Sequence, residues 1–185
     1  MPYKFFSNSK KAWQAMYKAI ESARESVYLE MYILEDEIEG FDFIRLLKDK
    51  AQSRVKVKII LDYFGSFSLS QTLIAELKEA GAEIFFISHF FHRTHRKILV
   101  VDESIAFIGG VNFNRNALSW DDLVIQVEDK LVSSITHSFA GVYERCGGRD
   151  RSVLFRNRKV ILSKTRAWLV EHFPVSRKPR LKIIY

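Results

Sequence analysis

Cysteine, proline and glycine are scarce in this 185-residue chain, which has one Cys, three Pro and eight Gly. The lone Cys146 excludes an internal disulfide framework and any multi-cysteine zinc site, which fits a reducing compartment. No collagen-like or low-complexity tract fits such a composition. Long apolar runs are missing too. No charge-free run exceeds the 13 residues of 63–75, against the ~20 that a spanning helix needs. The N-terminus has Lys4, Lys10 and Lys11 but no apolar stretch behind them, unlike a secretory signal. With neither a signal peptide nor a transmembrane segment in view, the expectation is a cytoplasmic protein or one resting peripherally on a membrane.

What is present is a chain long enough for one domain with a real core, 48% hydrophobic, with a net charge of +7. The charge is unevenly placed. Residues 1–148 hold 18 basic and 20 acidic side chains, net −2, whereas residues 149–185 hold 11 basic and 2 acidic, net +9. The excess therefore describes a local patch rather than a basic domain. Such a patch suits an anionic membrane, a nucleic-acid backbone or an acidic partner, and also serves as a solubilised linker.

Ser9 precedes Trp13, Met16, Tyr17 and Ile20 at helical spacing, which predicts a Ser9-capped amphipathic helix ending near Ala23. Strand-like runs at 27–34, 55–61 and 83–88 then alternate with helical spacing at 41–51 and 69–80, the latter stopped by Gly81. This alternation predicts crossover units and a mainly parallel sheet covered by helices. The pattern changes to strands at 97–102, 105–109 and 123–127, with Asp102-Glu103-Ser104 as a tight hairpin, and a helix at 131–145 closed by Gly147-Gly148. The expected organisation is a compact lobe, 1–148, and a basic extension, 149–185, containing one helix near 163–173 with Trp168 and Phe173 on its apolar edge.

Residues 95–112 read HRKILVVDESIAFIGGVN. Alternation along a strand sends His95 and Lys97 to one face and Arg96 away from them. An ammonium supplies fixed positive charge to a phosphoryl oxygen, while an imidazole attacks phosphorus or transfers a proton. Gly109 and Gly110 at a strand end permit close approach of backbone or ligand, and Asn112 adds an amide donor at the same edge. His89, His92 and His95 share a three-residue spacing, but no carboxylate or thiol set accompanies them and no metal is assigned. Phe90 and Phe91, just before the motif, are core aromatics or a lip for acyl chains. Asp62 is either a turn cap or part of a site rim.

The segment resembles the signature of the phospholipase D superfamily: H-x-K, four residues, D, six residues, G-G/S-x-N. A chance match to the six specified positions has a probability of roughly 10⁻⁶ over the chain. Leu29–Ile33 (LEMYI), Leu61–Ser66 (LDYFGS) and Trp120-Asp121-Asp122 add a similarity to cardiolipin synthases that runs loosely over 9–146. The resemblance implies an α/β/α sandwich lobe with a mixed, partly parallel sheet. It also implies a two-step phosphodiester transfer needing no cofactor and no metal. By position, His95 would form a phosphohistidine or act as the general acid, Lys97 and Asn112 would bind phosphate oxygens beside Gly109 and Gly110, and Asp102 would steady the site. Glu30 and Asp122 align with acidic positions that would hold the imidazole of His95 in its useful tautomer.

Relatives use two such motifs facing each other, and this chain has one. The second histidine is therefore expected from an identical chain in a two-fold homodimer, or from a second lobe. RLKIIY at 180–185 resembles the start of the helix that opens the second lobe of two-motif synthases. The expected partner is a phospholipid or another phosphodiester, giving phosphatidyl transfer or phospholipid hydrolysis. The alternatives are a homodimeric phosphodiesterase acting on DNA or RNA, and a non-catalytic binding lobe.

Overall fold

The computed structural model describes residues 3–158 apart from 37, 39, 88–93, 120, 121 and 129. The first amphipathic segment forms α1 (Ser9–Ser22), but its cap is Asn8, whose side chain accepts from the Lys11 N–H at 3.0 Å. Ser9 is buried in the first turn, so the expected Ser9 cap is displaced by one residue. Asn8 has extended backbone and an acceptor oxygen at the right reach, which is all that a cap requires.

The alternating segments follow as β2 (Ser26–Met31), α2 (Phe43–Gln52), β3 (Lys56–Asp62), α3 (Gln71–Glu79) and β4 (Glu83–Ile87). The pairings β2–β3 and β3–β4 are parallel, as crossover connections require. β5 (Ile98–Val101), β6 (Ile105–Gly109) and β7 (Val124–Val127) form an antiparallel meander. β5 adds antiparallel to β2, with Glu30 opposite Ile98. A short strand, β1 (Tyr3–Phe6), lies too close to the N-terminus and is too brief to show a period; it pairs antiparallel with β7. The seven-stranded sheet has the order β1-β7-β6-β5-β2-β3-β4, mixed and partly parallel.

Alternation along the strands divides the core in two. Leu29, Ile59, Leu61, Leu99 and Phe107 pack against Trp13 and Ile20 of α1, Phe43 and Leu47 of α2 and Leu77 of α3. Tyr28, Ile60, Val100 and Ala106 face the other way, onto Ile135, Phe139 and Tyr143 of α4 (Lys130–Arg145). Helices on both faces make this an α/β/α sandwich.

Packing continues past Gly148. After Gly147, whose φ of 89° suits glycine, α5 (Arg151–Arg158) buries Val153 in the second core. Lys58 of β3 is buried between Glu83 at 2.6 Å and Asp150 at 3.0 Å. Tyr143 donates its hydroxyl hydrogen to Glu83 Oε2 at 2.7 Å and accepts from the Asp150 N–H at 3.1 Å. Burial would raise the Asp150 carboxyl, but hydrogen bonds from Ser152 and Lys58 outweigh it and hold the group down at about 2. A boundary at 148 thus falls inside packed structure. The helix expected near 163–173 lies outside the described residues, with Trp168 and Phe173.

Candidate active site

Parallel β2 and β3 end where antiparallel β5 and β7 begin, and β6 ends there as well. Residues just beyond those strand ends therefore converge at one end of the sheet. His95 and Lys97 precede β5, Tyr32 follows β2, Asp62 closes β3, Asn112 follows β6, and Asp122 precedes β7.

Lys97 is 5% exposed while His95 is exposed. The ammonium donates to the His95 carbonyl oxygen at 2.8 Å and stands 3.1 Å from Nδ1 of the imidazole. The Tyr32 ring lies 4.5 Å from the imidazole, centroid to centroid, and the ammonium sits 5.1 Å from the centroid of the same ring. Burial pulls Lys97 down to about 8, with Asp122 opposing. Burial and then the Lys97 charge pull His95 below its ordinary 6.5, against Asp62 and Asp122. The lowered pKa disfavours the imidazolium form of His95 beside the Lys97 ammonium.

Asn112 is buried; its Oδ1 accepts from the Ile33 N–H at 3.2 Å and its backbone carbonyl from the Trp13 indole at 3.0 Å. With the carbonyl of the amide engaged, the NH₂ end is what it offers a ligand. Close approach at Gly109 and Gly110 is real, but the visitors belong to the protein. A Cβ on Gly109 would strike the Leu123 carbonyl, and one on Gly110 would strike the Asp122 carboxylate. The glycines thus admit Asp122 to this end of the sheet.

Two acidic expectations change. Glu30 is fully buried: Oε1 accepts from the Thr94 hydroxyl at 2.6 Å, and Oε2 lies 3.5 Å from Arg96 Nε. It braces the residues either side of His95, and Arg96 is also bonded to Ser138 of α4; β5 begins only at Ile98, so the strand expected to start at His95 is displaced by three residues. Asp102 lies at the far end of β5, separated from Lys97 by four strand residues, or about 16 Å of strand rise. Its carboxylate accepts from the backbone N–H groups of Arg24, Glu25 and Ser26 at 2.8–2.9 Å, pinning the β5–β6 turn to the start of β2. Burial would raise its pKa, but those three bonds outweigh it and lower it. Asp102 therefore steadies the sheet rather than the reacting groups.

Tyr32 escaped sequence reasoning, whereas Asp62 was singled out. Asp62, fully buried, caps Phe64 and Gly65 through Oδ1 and holds the Thr94 N–H through Oδ2 at 3.1 Å, so both of its expected readings hold at once. Tyr32 gave one signal, an aromatic directly after a strand in LEMYI. Gly65 permits its position, since a Cβ there would strike the Tyr32 backbone and ring. Phe90, Phe91, His89, His92, Trp120 and Asp121 lie outside the described residues.

An exposed imidazole, the buried ammonium beside it and a buried amide nearby thus stand together at converging strand ends, in the motif spacing that resembles the phospholipase D type. The family model "Cardiolipin synthase, PLD-like domain" matches residues 16–143, and the chain belongs to that family. It is 33% identical over 127 residues to a cardiolipin synthase of Halalkalibacterium halodurans, covering 64% of this chain and 25% of that one. It is 34% identical over 145 residues to cardiolipin synthase B of Salmonella typhi, covering 69% and 35%. The chain thus spans between a quarter and about a third of the length of these relatives. Among solved structures, NucT from Helicobacter pylori superposes with a TM-score of 0.67 at 22% identity, covering 80% of this chain and 98% of that one. The phospholipase D family member Nuc from Salmonella typhimurium gives 0.63 at 22%, covering 80% and 97%. These two likenesses establish the fold.

Proposed function

We propose that this lobe carries phosphatidyl groups between alcohols through a phosphohistidine on His95. The observation that supports it most is the buried Lys97 ammonium held against the exposed His95 imidazole. In the first step a ring nitrogen of His95 attacks phosphorus, the bond from phosphorus to the leaving alcohol oxygen breaks, and an acid protonates that oxygen. In the second an acceptor alcohol loses its proton to the same acid–base group and attacks phosphorus, breaking the N–P bond and restoring His95. Lys97 and the Asn112 amide neutralise and orient the phosphoryl oxygens, Tyr32 fixes the imidazole plane, and Asp122 acts electrostatically on both His95 and Lys97. Water in place of the acceptor gives hydrolysis.

The acid–base group is a second histidine, brought by an identical lobe across a two-fold axis or by a further lobe of a longer chain. Relatives named as cardiolipin synthases favour a phospholipid substrate over a nucleic acid. The test is incubation with phosphatidylglycerol and, separately, with single- and double-stranded DNA, for wild type and His95→Ala. Lipid turnover lost in His95→Ala is expected. Turnover of DNA alone overturns the lipid reading, and turnover indifferent to His95 overturns the site.

A further inference from the structure

Among the described residues seven large apolar side chains are exposed, and five of them, Tyr63, Phe64, Phe67, Leu118 and Leu123, lie on connections at the sheet end where His95 stands. Tyr63, Phe64 and Phe67 belong to the β3–α3 connection, where Phe67 is 80% exposed. Leu118 and Leu123 belong to the β6–β7 connection. In the strand order, β6 and β7 lie on one side of β5 and β2 and β3 on the other, so the apolar connections flank His95 on both sides. Scattered exposed apolar residues need no explanation; a concentration around one site does.

The β3–α3 connection is held outward. Asp62 accepts from Phe64 and Gly65, and the Ser66 hydroxyl accepts from the Leu34 N–H and donates to the Tyr32 carbonyl, each at 3.1 Å or less. The aromatics are thus presented by backbone fixed to the same Asp62 and Tyr32 that border His95. The stretch 63–75 contains no charged side chain.

Resting on the phosphatidyl transfer proposed above, the occupant of this rim follows from substrate chemistry. A phospholipid whose phosphorus reaches His95 carries its acyl chains only a few bonds away, where the rim lies. Lys97 matches the phosphate layer of a membrane, and the uncharged Tyr, Phe and Leu side chains match the boundary beneath it. We propose that residues 63–67, with Leu118 and Leu123, dock the lobe on a phospholipid bilayer by inserting at the headgroup–acyl boundary, so that His95 faces the phosphodiester layer. This docking is apolar and separate from any attraction of the basic segment beyond Gly148.

The test is co-sedimentation of the full 185-residue chain with phosphatidylcholine vesicles in about 0.5 M salt, where charge attraction is screened within a few ångström. Wild type and the remote control Phe155→Ser are expected to bind, while Tyr63→Ser/Phe67→Ser loses at least about tenfold in partitioning. Phe67→Trp is expected to shift its added fluorescence to shorter wavelength on vesicles. Unchanged binding of the double variant, or an unshifted Phe67→Trp, overturns the proposal. So does a double variant that alters only the monomer–dimer balance by light scattering, which seats a second copy on the rim instead. His95→Ala separates the two readings, since it is expected to bind vesicles while losing transfer. Rim-dependent binding without transfer by wild type overturns the function and leaves the docking; transfer with rim-indifferent binding does the reverse.

Discussion

The two ends of β5 carry the two halves of one sequence motif and treat their charges in opposite ways. At the Asp102 end a carboxylate is met by three backbone N–H donors, and its proton affinity falls because the folded state prefers the anion. At the Lys97 end an ammonium is buried with an imidazole, a carbonyl and an aromatic face for company, and its proton affinity falls because the folded state resists the cation. One end favours its charged form and the other disfavours it; in the function proposed above, an anionic substrate would relieve the second. Reactive sites trade stability for such readiness.

The sharpest way to separate the ends is His95→Ala, expected to lower phosphodiester turnover by about 10³-fold or more with little change in melting temperature, since His95 is exposed. Lys97→Met is expected to lower turnover by about 10²-fold, yet to raise unfolding free energy at pH 7 by about 1–3 kcal/mol. The sign follows from linkage. Lys97 falls from 10.5 unfolded to about 8 folded, so the unfolded chain binds more protons between those values. Wild-type stability therefore rises with pH through that window, and denaturant titrations should show Lys97→Met without this contribution.

At the other end, Asp102→Ala orphans three N–H groups and is expected to cost about 2 kcal/mol of unfolding free energy, while kcat of the folded fraction stays near wild type. Equal loss of kcat and stability in Lys97→Met and Asp102→Ala would erase the contrast. The rate itself should follow a bell with pH, its acid limb below 6.5 where His95 gains a proton and its alkaline limb near 8 where Lys97 loses one. Lys97→Arg, at reduced rate, should remove the alkaline limb. The smallest effect expected is at the turn. Glu103 stands at φ 48°, a left-handed conformation uncommon for glutamate, and Glu103→Gly should add up to about 1 kcal/mol by denaturant melt.

Much of the fold was legible because burial writes periods into the chain. Val27, Leu29 and Met31 alternate with Tyr28 and Glu30 on β2, and Trp13, Met16 and Ile20 repeat at helical spacing on α1. Elements of a few residues, such as β1, show no period, and α5 was hidden because Val153 is its one buried residue among those whose burial is described, in a basic segment. In the site, His95, Lys97 and Asn112 were readable from motif spacing. Tyr32 was not, because its contact with His95 joins residues 63 positions apart through two strand ends.

The spacing of charged and apolar residues was enough to indicate a helix-covered mixed sheet and to single out His95 and Lys97 for phosphate chemistry. Spacing records which residues are near along the chain, so it could not say which carboxylate would be spent on what. Strand direction assigned those roles. Because β5 runs antiparallel to β2, Asp102 meets the start of β2 and becomes a clasp, while Glu30 meets Thr94 and Arg96 and becomes a brace. Because β7 starts where β6 ends, Gly110 makes room for Asp122 to reach the neighbourhood of His95 and Lys97. Through-space electrostatics fall with distance and rise with burial, and both are properties of the folded sheet alone.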